Sequence, residues 1–333
     1  MHADEARVAA ALQRLAGLIA PGVDGRVQGV HKLSGGASQQ TWAFDVEGRA
    51  EVVPLILRRS PDGAAARTRM TAGLDVEAQL IAAAKTAGVP VPAIRHVLRA
   101  EDGLGEGFVM ECLHGETLGR RIVRDARFAA ARRVLARQCG QALARIHAMP
   151  ITGLPALRLG GPQAELQLQM DQHRSHRTSR PVFELAFQWL RKNCPGEVAK
   201  PVLVHGDFRN GNLMIGEAGL VGVLDWELAH LGDPMEDLAW LCVNAWRFGC
   251  NDLPVGGFGT REDLFEGYAA AGGQVDVPRV HYWDMLGTLK WGVVCEAFAH
   301  AWLAGHERDV EKAAIGRRAS ETEIDLLALL APR

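Results

Sequence analysis

The stretch "LVHGDFRNGNLMI", residues 203–215, constrains the fold more than any other part of the chain. Its apolar ends, 202–204 and 213–215, read as short buried strands, because consecutive apolar residues bounded by polar and glycine positions leave no face for water. Between them lie His205, Asp207, Arg209, Asn210 and Asn212, with glycines at 206 and 211. A hairpin turn is built from the same residue types. A short polar loop on a rigid scaffold is also where chemistry is usually carried out. The rest of the chain must separate these two readings.

The chain has 333 residues, 48% hydrophobic and 23% charged, which suits a globular protein able to bury a core in each of two lobes. A net charge of −2 gives no global electrostatic basis for binding nucleic acid. The six cysteines are scattered at 112, 139, 194, 242, 250 and 295 without a C-x-x-C pair, which fits reduced thiols in a cytoplasm. The N-terminal run reads as an amphipathic helix ended by Pro21 and Gly22. It lacks the basic start of a signal peptide and the length of a membrane span, so no membrane partner is expected. "QHRSH", at 172–176, follows Asp171 but has no cysteine nearby, and HExxH is absent, so a zinc site is not expected.

An α+β architecture follows from the order of the segments. "RVQGVHKL" and "TWAFDV" bracket a glycine-rich turn, "EVVPLILRR" is a further strand, and "AIRHVLRA" and "GFVMECL" are two more. The one helix among them, 71–88, carries apolar residues at Leu74, Ala78, Ile81 and Ala82 and has Gly88 at its end. Beyond "HGETL" the chain turns to long helices, with 125–149 expected as one element stopped by Pro150 and everything after Asp233 helical. The expected division is a small antiparallel-sheet N-lobe, 1–112, and a large helical C-lobe, 113–333.

Four chemical features follow one another along this scaffold. The turn "LSGGASQQTW" can aim backbone N–H groups at phosphate oxygens, since Gly35 and Gly36 carry no side chain, although Gly-Gly also serves ordinary hairpins. On the next strand a cation, Arg58 or Arg59, can be held by Glu77 from the helix behind and grip phosphates. In the opening loop Asp207 can accept the proton of an attacking hydroxyl, while Asn212, five residues on, holds a metal. Asp225 ends an apolar strand in "LVGVLDWE", where a carboxylate suits Mg²⁺ or caps a helix.

"HGDFRNGNLM" together with "VLDWELAHLGDPMEDLAWL" closely resembles the aminoglycoside phosphotransferase family, which shares the protein-kinase-like two-lobe fold with choline kinases. Within it, the chain looks most like the branch related to the kinase-like domain fused to some acyl-CoA dehydrogenases. The resemblance implies an ATP- and Mg²⁺-dependent kinase that phosphorylates a hydroxyl of a small acceptor. It implies Asp207 as catalytic base, His205 bracing the loop, Asn212 and Asp225 as metal ligands, and Asp237 as a structural carboxylate. Gly35, Gly36, Ala37 and Ser38 match the phosphate-covering turn, and Met110, Glu111, Cys112 and Leu113 the hinge facing adenine. Arg58 replaces the usual lysine, and "GGASQQ" departs from G-x-G-x-x-G. A nucleotide-binding module without turnover would not need the base. A Ser/Thr protein kinase would need activation-loop elements that the short interval from Asp225 to Asp237 does not hold.

The acceptor is less constrained. Residues 114–200 hold 15 Lys/Arg against 6 Asp/Glu, and residues from 201 onward hold 10 against 20. A polycation could be met by Glu227, Asp284 or Glu296, whereas the basic middle would suit an acidic acceptor or be a solvated helix face. Lys290 and Glu296, charged positions within the apolar 281–305 helix, are expected to pair with each other, because unpaired charge is costly to bury.

Overall fold

The computed structural model describes residues 3–33, 39–60, 71–306 and 308–331. The opening helix, α1 (Ala3–Ile19), places Val8, Leu12, Leu15 and Ile19 on one stripe against a five-stranded antiparallel sheet. The strands are β1 (Arg26–Lys32), β2 (Gln40–Glu47), β3 (Val52–Ser60), β4 (Ile94–Val97) and β5 (Glu106–Glu111), in spatial order β1-β2-β3-β5-β4. Helix α2 (Leu74–Thr86) connects β3 to β4, and Gly88 adopts φ 76 just beyond its end.

Strand alternation sorts the two neighbouring arginines. Trp42, Phe44, Val46, Leu55 and Leu57 share the face covered by α1. Arg59, two residues past Leu57, falls on that same face. It is almost fully buried, donates to both Asp4 oxygens at 3.0 Å and lies over the Trp42 ring. Arg58 is thereby directed to the opposite face, toward α2 and the C-lobe.

The C-lobe runs through α3 (Gly119–Arg124), α4 (Ala129–His147), α5 (Pro162–Ser175) and α6 (Pro181–Lys192). Two small antiparallel pairs follow, built from β6 (Val202–Val204), β7 (Leu213–Gly216), β8 (Gly219–Val223) and β9 (His230–Gly232), with β6 beside β9 and β7 beside β8. Helices α7 (Met235–Trp240), α8 (Arg261–Ala270), α9 (Val277–Leu303), α10 (Val310–Gly316) and α11 (Ala319–Leu330) complete the chain. Among the described residues no helix is long and apolar enough to cross a membrane.

Several expectations are corrected. The 125–149 segment opens with a short 3₁₀ turn, because the Asp125 side chain accepts the Arg127 N–H, and the α-helix begins only at Ala129. Residues 247–260 are not helical: Gly249, Gly256 and Gly257 take positive φ and Pro254 interrupts the run. Lys290 and Glu296 do not pair. Six residues along a helix put them about 120° apart around the axis. Lys290 instead lies 3.6 Å from Glu236 and over the Trp240 ring, while Glu296 accepts from His173 Nδ1 at 2.7 Å and faces Arg180. The acidic group that meets the two histidines of "QHRSH" is thus supplied by α9. Among the described residues no three His, Cys, Asp or Glu side chains are grouped to hold a metal. The basic middle is mostly engaged locally: Arg121 and Arg127 with Glu116, Arg132 with the Ile122 and Asp125 carbonyls, Arg137 with Glu266.

Helices α4 and α8 cross at glycines. A Cβ on Gly140 would stand 2.1 Å from the Leu264 carbonyl oxygen, and one on Gly267 2.1 Å from that of Arg137. The obstacle is backbone, which cannot swing aside. Gly140→Ala is therefore expected to destabilise by about 1–3 kcal/mol in urea unfolding. Gly17→Ala, whose new methyl meets nothing within 4 Å on exposed α1, should instead stabilise by up to about 1 kcal/mol.

Candidate active site

The 205–212 loop is anchored from behind. Strand β6 delivers the chain to His205, and Gly206 turns it with φ 79, where a Cβ would stand 2.5 Å from the Leu228 carbonyl oxygen. Asp237, in the first turn of α7, accepts the His205 N–H at 2.8 Å and the Gly206 N–H at 2.9 Å. His147 Nε2 lies 3.1 Å from the same carboxylate, and its Nδ1 lies 2.8 Å from the Tyr268 hydroxyl. Burial pushes the Asp237 carboxyl up, but hydrogen bonds and charge from His147 and the His205 N–H outweigh it and hold it below 3.8.

His205 is fully buried and acts on the loop itself. Its Nδ1 accepts the Asp207 N–H at 3.3 Å, which assigns the proton to Nε2, 3.1 Å from the Leu224 carbonyl. Burial lowers its pKa despite the nearby Asp237 carboxylate, so the ring is neutral at pH 7. Its ring packs on Phe208 and Trp226. This placement makes it a brace.

Asp207 is gripped by three donors. Asn212 Nδ2 reaches Oδ2 at 2.7 Å, while Arg209 Nε and Trp240 Nε1 reach Oδ1 at 2.9 and 2.8 Å. Asn212 also donates to the Asp207 carbonyl and accepts the Leu224 N–H. That second bond brings Asn212 beside the turn that carries Asp225. Asp225 sits in the left-handed region at φ 62, a strained conformation for a residue with a Cβ.

Arg58 joins this site to the sheet. Its guanidinium contacts Glu77 Oε1 at 2.9 Å and Asp225 Oδ1 at 2.8 Å, with Glu227 at 4.0 Å, and it donates twice to Gln39. Three carboxylates thus surround one cation. Burial, followed by repulsion from Asp225 and Glu227, raises the Glu77 carboxyl to about 7 against the pull of Arg58. The excess negative charge and the hard oxygen donors of Asp225 and Asn212 fit a Mg²⁺ ion, which keeps several waters and needs few protein ligands.

Met110 and Glu111 end β5, and Cys112 and Leu113 lead from it toward the β7–β8 pair, where Glu116 bridges to Ile215. The Glu111 and Cys112 N–H groups are bonded to the Ala93 and Pro54 carbonyls. Gly35, Gly36, Ala37 and Ser38 lie outside the described residues. Of the acidic side chains expected to meet a polycation, Asp284 is paired with Arg261 and Glu296 with His173, and only Glu227 stands beside the loop. Trp240, Gln39 and Arg209 are further members of the site, beyond those the motifs name. For Trp240 a signal existed: it follows Asp237 by three residues on a helix, so both face the same loop.

The fold agrees with the comparisons. The profile of the phosphotransferase enzyme family (APH) matches residues 29–270, and the chain belongs to that family. Mouse acyl-CoA dehydrogenase family member 10 is 30% identical over 251 residues, which cover 69% of this chain and only 22% of that protein. A Ralstonia eutropha JMP134 structure provisionally assigned as an aminoglycoside phosphotransferase superimposes with TM-score 0.74 at 20% identity, covering 94% of this chain and 95% of its own. The aminoglycoside phosphotransferase APH(4)-Ia, solved with AMP-PNP and hygromycin B, has TM-score 0.60 at 16% identity, covering 97% and 99%. At these identities the structures establish the protein-kinase-like fold.

The loop anchor has a pH signature. The Asp237 carboxyl is held below its ordinary 3.8, so its contribution to stability is present above that pH and is lost as pH falls through the lowered value. Asp237→Asn should cost about 3 kcal/mol at neutral pH. Thermal unfolding across a pH series should show that deficit shrinking below pH 3.8; a constant deficit would mean that the carboxylate is not charged in the fold.

Proposed function

We propose that the protein transfers the γ-phosphate of ATP to a hydroxyl group of a small molecule, with Asp207 as general base. The reading rests on one observation: the Asp207 carboxylate is oriented by Asn212, Arg209 and Trp240, and Asn212 is bonded to Leu224, next in the chain to the Asp225 of the Arg58–Glu77–Asp225 cluster. An acceptor hydroxyl placed against Asp207 gives up its proton as its oxygen attacks phosphorus. Arg58, fixed by Glu77 and Gln39, is available to phosphate oxygens from the sheet side. Asn212 and Asp225 would hold Mg²⁺, which supplies charge neutralisation at the β- and γ-phosphates. Leu113 and the carbonyls of the 110–113 segment would meet adenine, and the 35–38 turn would cover the phosphates. The free cysteines fit a reducing compartment such as the cytoplasm.

A nucleotide-binding module without turnover is the competing reading. Three donors converging on Asp207 argue against it, since binding ATP does not require an oriented base. A protein kinase is disfavoured because only eleven residues separate Asp225 from Asp237, and three of them form β9, paired to β6.

The deciding experiment is ADP release across a panel of hydroxyl acceptors, run on wild type and Asp207→Asn. The variant should lose about 10²–10⁴-fold in kcat while calorimetric binding of ATP with Mg²⁺ stays unchanged. Retention of more than about a tenth of wild-type kcat would refute the base assignment. Asp225→Asn should shift the Mg²⁺ dependence of activity to higher concentration, with Asn212→Ala shifting it less.

Trp240→Phe keeps an aromatic side chain and removes the N–H donor to Asp207. Losing one of three donors leaves the carboxylate less firmly oriented toward an acceptor hydroxyl. The kcat should therefore fall about 10-fold with the KM for ATP unchanged, and an unchanged kcat would show that the indole only fills space.

A further inference from the structure

A cleft of about 430 Å³ opens between the irregular 247–260 segment, α9 and α11, within the size range of small-molecule sites. Its wall includes Asn244, Arg247, Arg261, Asp284, Thr288 and Asp325. It is mechanically joined to the Asp207 loop. Asn210 Nδ2, fully buried, donates to the Trp246 carbonyl at 3.0 Å and to the Gly256 carbonyl at 2.7 Å, so the loop holds both ends of the segment that forms the cleft wall. Arg209, which touches Asp207, lies over the Trp246 ring at 4.6 Å.

The charges of the cleft are not balanced alike. Arg261 and Asp284 form a closed pair at 2.8 Å, and Asp325 accepts from Asn244 at 2.8 Å. Arg247 has no carboxylate partner among the described residues. Its Nε and Nη2 both donate to the Cys242 carbonyl, at 3.2 and 2.7 Å, which fixes the plane of the guanidinium and leaves Nη1 open. Burial lowers the Arg247 pKa and raises those of Asp284 and Asp325; both carboxylates attract the cation across the cleft, but neither closes to an ion pair with it. The next residue, Phe248, holds φ 50, and its carbonyl accepts from Arg124. Backbone strain of this kind persists where the surroundings fix it and is concentrated at binding sites.

We infer that this cleft is the acceptor subsite and that the acceptor is a small hydroxylated molecule bearing an anionic group, which docks on the open edge of Arg247. The inference rests on the phosphotransfer reading above. A polycation is a poor fit, because Asp284 is already neutralised by Arg261 and Glu296 lies with His173 and Arg180. Hydroxyl groups of the ligand meet Asp325 and Thr288. In the transfer step the acceptor O–H proton passes to Asp207, the acceptor oxygen bonds to the γ-phosphorus, the bond from that phosphorus to the β,γ-bridging oxygen breaks, and ADP leaves with that oxygen.

The test uses glycerate and gluconate as anionic probes, glycerol and glucose as their neutral counterparts, and kanamycin as polycation. Binding is read by thermal shift and calorimetry on wild type, Asp207→Asn, Arg247→Lys and Arg247→Gln. At least one anionic probe is expected to bind wild type and Asp207→Asn alike, with Arg247→Gln weakening it about 10- to 100-fold and Arg247→Lys less. Sulfate should displace the probe from wild-type protein, a readout independent of how the variants fold. Equal binding by the neutral counterparts, preference for kanamycin, or undiminished binding by Arg247→Gln would overturn the inference. ADP release that needs Asp207 but occurs only with kanamycin would leave phosphotransfer standing and remove the anionic acceptor. Arg247-dependent anion binding without ADP release from any compound would overturn the acceptor role and count against phosphotransfer itself.

Discussion

One guanidinium sets the geometry of the site. Arg58 reaches from β3 to Glu77 on α2 and to Asp225 beyond β8, and it is further tied to Gln39. The sheet, the helix behind it and the strand end of the C-lobe therefore meet at a single side chain. Removing the cation would leave Glu77, fully buried, with two acidic neighbours and no compensating charge, which is costly in a low-dielectric interior. The cluster consequently couples the relative placement of the lobes to the charge of the site. A divalent cation entering beside Asp225 would reduce the same repulsion.

The Asp207 loop has a complementary design. It is held from behind by backbone N–H bonds to Asp237 and from the front by the Trp240 indole. Both residues come from α7, one turn apart, so a six-residue helix positions the loop backbone and the Asp207 carboxylate together. His205 contributes from inside, bonded to the Asp207 N–H and the Leu224 carbonyl, which ties the loop to the strand end bearing Asp225. Lys290 over the Trp240 ring and Arg209 over the Trp246 ring extend the support into α9 and the 247–260 segment. The proposed base and the proposed acceptor cleft thus share one rigid support.

Local physics made much of this readable beforehand. The apolar runs flanking "HGDFRNGN" became β6 and β7, the 71–88 pattern became α2, and alternation along β3 left only one of two adjacent arginines able to face the C-lobe. The misses have a common origin. β9 is too short for a period of two to register and exists because β6 lies beside it. The 3₁₀ turn before α4 depends on one side-chain bond at Asp125. Lys290 and Glu296 lie near each other in sequence, but helical phase sends them to different neighbours.

By itself the sequence determined the class of fold, the order of its longer elements and the identity of the residues on the Asp207 loop, because these follow from periodicity, turn chemistry and spacing within a few residues. Tertiary structure alone decided which charges meet. Arg58 with Asp225, Trp240 with Asp207, Glu296 with His173 and the open edge of Arg247 are all contacts between distant or differently phased positions. Hydrogen bonds need contact distances, and charges exposed to salt water are screened beyond about 10 Å. Such pairings are therefore set by how helices and strands pack; local spacing, as between Asp237 and Trp240, shows only which side chains share a helix face.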